Sequence, residues 1–132
     1  MTEHRNAGVV RKAYGAVSVG DMETFGSLMA EDVVWHVPGT SSMSGDYKGK
    51  AEVIGGLNRL AEFTQGTFRQ DIHDVVANDE HAVALIELSW EKPKRFRGRE
   101  VRVFHMHDGT VTEVWFHPED PAASDEALRG EH

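Results

Sequence analysis

After Gly66 the hydrophobic period of this chain changes from that of a helix to that of a strand, and it holds there as far as His117. No other feature constrains the fold as tightly. Residues 67–77, 81–91, 95–107 and 110–117 each read as a strand, and the segments between them are short enough only for hairpins. Asn78-Asp79-Glu80 forms the first turn and the region of Lys92-Pro93-Lys94 the second. Asp108-Gly109 forms the third and gives the strongest signal, because both positions favour positive φ. Consecutive antiparallel strands of this kind have a face to bury, and the preceding half of the chain carries what can cover it.

Val9, Val10, Ala13, Tyr14 and Val17 recur at helical spacing, which predicts an amphipathic helix over residues 3–19. Gly20 suits the left-handed position that ends it, and Asp21 suits the N-cap of a second, shorter helix buried through Met22, Phe25, Leu28 and Met29. Residues 33–37 form the first strand, stopped by Pro38, and a serine- and glycine-rich loop follows, whose SGDYKG run reads as a turn. Helical spacing returns over residues 51–63 through Ile54, Leu57, Leu60 and Ala61, although Gly55 and Gly56 weaken that helix by roughly 1 kcal/mol each. The acidic segment 121–132 is poor in large apolar groups and is expected to be a tail beyond a domain of residues 1–120, with at most one helical turn. Helices first and hairpin strands after predict an α+β fold, a curved sheet with three helices on its concave side.

Composition narrows the function. The 132 residues suit one domain, and 14 Lys and Arg against 22 Asp and Glu give a formal net charge of −8, so neither nucleic acid nor an anionic membrane is an expected partner. The basic cluster of residues 91–102 is broken by Pro93 and Gly98 and reads as a solvated hairpin. Cysteine is absent, which excludes disulfides, thiolate metal sites and cysteine nucleophiles. The first twenty residues are broken by charge, unlike a secretory signal, and no apolar run is long enough to span a membrane, so a cytoplasmic location is expected.

The order of elements, the helix junction VGDMETFGSLMAEDVVWHVPG, the loop SGDYKGK and the run RFRGREVRVFHMHDGTVTEVWFHPED together resemble a SnoaL-like member of the nuclear transport factor 2 superfamily, which also contains ketosteroid isomerases and polyketide cyclases. The resemblance implies a cone-shaped NTF2-like fold enclosing an apolar cavity, a small apolar organic ligand, no cofactor, and a homodimer through the outer sheet face. It also implies catalytic positions, and several are not matched. Val37 stands where the isomerases place an aspartate base, no acid stands at Val101 to Val103 where their oxyanion hole needs one, and Phe116 occupies the position of the cyclases' aspartate. Tyr14 lies within one residue of the isomerases' first-helix tyrosine.

Proton transfer then falls to histidine, whose ordinary pKa lies close to neutrality. Alternation places Val101, Val103, His105 and His107 on one face of their strand and Arg102, Phe104 and Met106 on the other, and the resemblance puts the first set inside the cone. By the same analogy Trp35, Val37, Val114 and Phe116 face inward, while His36, Trp115 and His117 face outward and form a patch for a two-fold partner. The expected catalytic residues are His105 and His36. The expected ligand wall is Tyr14, Trp35, Val37, Arg102, Val103, Trp115 and Phe116, with Tyr14 or Arg102 stabilising negative charge. His105 and His107 could furnish two metal ligands with His36 or His117 as a third, but without thiolates or neighbouring carboxylates no metal is expected. The functions that fit are a cofactor-independent isomerase, cyclase, dehydratase or hydrolase acting on a polycyclic or polyketide-like molecule, or a non-catalytic binding or interaction module of the same fold.

Overall fold

A computed structural model describes residues 3–129. Helices α1 (Arg5–Ser18) and α2 (Met22–Ser27) are followed by strands β1 (Met29–Val37) and β2 (Gly45–Lys48), helix α3 (Lys50–Phe63), strands β3 (Arg69–Ala77), β4 (His81–Trp90), β5 (Phe96–His107) and β6 (Thr110–Pro118), and helix α4 (Pro121–Arg129). The strands form a curved, unclosed mixed sheet in the order β2-β1-β6-β5-β4-β3. The run β3 to β6 is the antiparallel meander the sequence predicts, and β1 joins it parallel to β6.

Local chemistry accounts for most of the boundaries. Asp21 caps α2, its carboxylate accepting from the Thr24 backbone N–H at 3.0 Å, and Gly20 before it has φ +75°. Asn78 Oδ1 accepts from the backbone N–H groups of Glu80 and His81 and so closes the β3–β4 turn. Asp108 and Gly109 both have positive φ, as their hairpin requires.

Helix α1 packs on β3 and β4, and α3 packs on β1 and β2. Val10, Ala13 and Phe25 from the helices meet Ala82, Ala84, Ile86, Phe104, Met106, Val111 and Val114 from the sheet, all buried. The small residues Ala82 and Ala84 let α1 lie close to the sheet, while the other side of the concave face is left to longer side chains.

Three elements depart from the sequence expectation. The second helix ends at Ser27, so Leu28 caps it and Met29, expected on its buried side, instead opens β1 four residues before the expected start at Val33. The expected turn at SGDYKG contains β2, an edge strand whose register sets Tyr47 opposite Trp35. Residues 121–129, expected to hold at most one helical turn, form the nine-residue α4. No α4 residue is buried, and polar bonds anchor it to the loop after β1. Asp125 accepts from the backbone N–H groups of Thr40 (2.7 Å) and Ser41 (2.9 Å) and from the Thr40 hydroxyl (2.7 Å), and these bonds hold its carboxyl below the usual carboxylate range. Gly39 makes this approach possible, since a Cβ there would lie 2.3 Å from Asp125 Oδ1.

Candidate functional site

Strand β5 decides what occupies the cone, because its alternation fixes which side chains point inward. Glu100, Arg102, Phe104 and Met106 are buried, whereas Val101, His105 and His107 are exposed and Val103 is half-buried. This is the reverse of the expected phase. His105 therefore stands on the outer face, its ring 4.8 Å from that of His81 and 5.4 Å from Trp115, and it does not project into the cone. Val103 is on the outer face with it, paired with Val83 and Trp115. The physical reason is that both faces of β5 carry apolar and polar groups in equal measure, so hydrophobicity alone leaves the phase open. What settles it is that the larger apolar groups, Phe104 and Met106, fill the core, and Glu100 and Arg102 neutralise one another on the same side.

The interior is lined by Trp35, Val37, Tyr47, Leu57, Phe68, Leu88, Trp90 and Phe116 around Gln70, Glu100 and Arg102, and it is closed toward α4 by Ser124 and Leu128. The space within it open to the centre of a water-sized molecule is about 90 Å³. Gly56 of α3 belongs to this wall. A Cβ there would lie 2.6 Å from the Tyr47 ring, so the glycine that weakens the helix is the one that lets the aromatic wall approach.

Arg102 organises the polar end. Its Nε donates to Glu100 Oε2 at 2.5 Å, and its Nη1 donates to Tyr14 Oη at 2.9 Å and to Gln70 Oε1 at 2.7 Å. The guanidinium also lies 4.5 Å from the centre of the Phe116 ring and 5.4 Å from that of Tyr14. Arg102 and Glu100 are 5% and 6% exposed, so this is an ion pair out of water. Burial opposes the charge on Arg102, but the Tyr14 oxygen and the Glu100 carboxylate outweigh it and raise its pKa above the ordinary value. Burial in turn raises the Tyr14 hydroxyl, against the lowering effect of Arg102. Glu100 Oε2 is held by Arg102, while Oε1 has no hydrogen-bond partner among the described residues.

The expected ligand residues thus divide. Trp35, Val37, Arg102 and Phe116 line the interior, and Tyr14 reaches it through Arg102. Trp115 and His36 lie on the outer face, stacked 5.5 Å apart. His36 bonds Asp46 on β2 through Nδ1 (2.8 Å) and Glu113 on β6 through Nε2 (2.5 Å), and these carboxylates, Glu113 first, raise its pKa. Glu100 is the group that sequence reasoning missed. The signal available was the pairing of opposite charges at alternate positions, Glu100 and Arg102, on the face shared with Phe104 and Met106. Among the described residues no three His, Asp or Glu side chains come together as a metal-ligand set, and no helix is long and apolar enough to cross a membrane.

Comparison with known proteins agrees with this geometry. Rv0034 of Mycobacterium tuberculosis is 28% identical over 95% of this chain and 97% of its own. Bal32a, from a soil-derived mobile gene cassette, superposes with a TM-score of 0.90 at 32% identity over 95% of this chain and 97% of its own. An NTF2-like protein from Burkholderia xenovorans LB400 has the same fold (TM-score 0.79, 20% identity, 97% and 98% covered). So has an LEH-like epoxide hydrolase of M. tuberculosis (TM-score 0.74, 20% identity, 94% and 89% covered). The SnoaL-like domain matches residues 10–114, and the chain belongs to that family, with an NTF2-like fold.

Proposed function

We propose that this protein is a cofactor-independent enzyme of the isomerase, cyclase, dehydratase or hydrolase type. It acts by proton transfer on an apolar, polycyclic or polyketide-like molecule, one end of which enters the cone. The observation that carries this proposal is the buried Glu100 side chain beside a mainly apolar interior, with one carboxylate oxygen fixed by Arg102 and the other accepting no hydrogen bond from the described residues. That is the arrangement a general base needs: an orienting bond on one oxygen and a free lone pair on the other. Glu100 takes the place of histidine as the proton-transfer group. Arg102 supplies the positive charge against which a developing oxyanion is stabilised, and the surrounding aromatic side chains exclude water and so strengthen that interaction.

The test uses a panel of cyclic ketones and cycloalkene epoxides in D₂O, followed by NMR for deuterium entering beside the carbonyl or for diol formation. Glu100→Gln keeps the shape of the site and removes the base, so the rate should fall by roughly 10²- to 10⁴-fold. A Glu100→Gln protein that turns over a substrate of the wild type at an undiminished rate would remove Glu100 from this role.

A second function, a non-catalytic binding module, is favoured by one observation. Arg102 already bonds Glu100, Tyr14 and Gln70, a satisfied network suited to a rigid wall. It predicts that native mass spectrometry of freshly purified protein finds a small molecule retained and released unchanged.

The same proposal includes a homodimer through the outer sheet face and residence in the cytoplasm. Leu85 and Val101, 41% and 36% exposed, lie side by side on that face, next to the row formed by Val83, Val103 and Trp115. Light scattering should give twice the chain mass, and Leu85→Arg should return it to the mass of one chain.

A further inference from the structure

Helix α4 lies at the end of the interior where Glu100 stands, yet little apolar contact holds it there. Ser124 and Leu128 line the interior beside Val37 and Glu100, and the same four residues line a second, smaller hollow that reaches Pro38 and Gly39. The half-buried side chains of α4, Ser124, Asp125, Ala127 and Leu128, recur at helical spacing and form one face. None is fully buried, and nine residues are too few for a helix to stand by itself in water. Packing therefore does not explain why α4 is docked. One side chain does. Asp125 accepts from the backbone N–H groups of Thr40 and Ser41 and from the Thr40 hydroxyl. Arg129, one turn on, donates to Asp125 Oδ2 at 3.0 Å and to Thr40 Oγ1 at 3.2 Å. Only two residues, Glu119 and Asp120, join α4 to β6.

From this contrast, a helix that covers the interior but is fastened at one carboxylate, we propose that α4 is a latched lid. It turns about Glu119 and Asp120 when Asp125 leaves the loop backbone, and it uncovers the interior at the Glu100 end. The latch suits reversible opening, because a carboxylate, two N–H groups and a hydroxyl exchange their bonds to one another for bonds to water at little net cost. Leu128 is the one large apolar side chain of α4 that opening exposes. The inference rests on the proposal that the interior is the ligand site only for the purpose of the lid. Opening itself is read without a ligand.

The chain has no cysteine, so a single introduced thiol reports access to its own position. Val53→Cys places one at a buried position that lines the interior, and Val10→Cys places one in the core between α1 and the sheet. Both are labelled with methyl methanethiosulfonate, a small neutral reagent, and the rates are read by mass spectrometry. Asp125→Ala removes the latch while giving α4 a better helix former. It should speed the labelling of Val53→Cys roughly ten- to hundredfold and leave that of Val10→Cys unchanged. Thr40→Val removes only the hydroxyl that meets Asp125 and Arg129. It should act in the same direction by less, and it decides the matter if Asp125→Ala does not fold. Val53→Cys labelled at one rate with and without the latch would overturn the inference. So would equal acceleration of both thiols, since Asp125 would then support the fold as a whole. Glu100→Gln at full activity would remove the base and leave the lid, and an unmoved Val53→Cys rate would remove the lid and leave the base.

Discussion

At the scale of single residues, Arg102 holds the polar end of the interior together, and its removal separates two contributions that are easily confused. A buried ion pair is weak evidence for stability, because desolvation of both charges offsets their attraction, but stranding one partner is costly. Arg102→Met should therefore destabilise the protein by roughly 3–5 kcal/mol, since it leaves the Glu100 carboxylate buried without a counter-charge. Adding Glu100→Gln to that variant should recover most of the loss, as read from urea denaturation midpoints. If the double variant is as unstable as Arg102→Met alone, the pair is held by packing on Phe116 and Tyr14 rather than by charge. The same residues show the limit of sequence reading. Trp35, Val37 and Phe116 were assignable to the interior only through the family resemblance, and β5 offered Val101 and Val103 on one face and Phe104 and Met106 on the other. Two opposite charges that cancel are acceptable inside, and no local pattern distinguishes them from two charges in solvent.

At the scale of elements, the parts that were legible are those whose stability comes from burying one periodic face: α1, α2, α3 and the four strands of the meander. The parts that were not legible, β2 and α4, bury little and are held from a distance. Strand β2 is an exposed edge paired to β1, and α4 hangs on the Asp125 carboxylate and the backbone of Thr40 and Ser41. His36 is a second long-range tie, joining β2, β1 and β6 through Asp46 and Glu113. Its pKa is raised in the folded chain, so its contribution is fully present below the ordinary histidine value and is lost as pH rises through the raised one. His36→Gln should accordingly lower the urea midpoint more at about pH 6 than at about pH 9. Because the group is partly exposed, the effect should be about 1 kcal/mol or less. Equal losses at both pH values would mean that His36 acts only by stacking on Trp115.

At the scale of the whole molecule, the fold places two chemically distinct surfaces on opposite sides of one sheet. The outer side collects His36, His81, His105 and Trp115 with exposed Leu85 and Val101, and the inner side collects an apolar wall around one ion pair. A net charge of −8 is spread over the outside, while Arg102 and Glu100 cancel within. The SnoaL-like family supplies the fold, and the proposed function places the ligand on the inner side of its sheet. The most direct test is a ¹H–¹⁵N chemical-shift map of the labelled protein saturated with cyclopentanone. A site inside the cone predicts shifts at the Arg102 side-chain Nε, the Trp35 indole and the Phe116 amide, with the His36, His105 and Trp115 signals unmoved. Shifts confined to His36, His105 and Trp115 would contradict it.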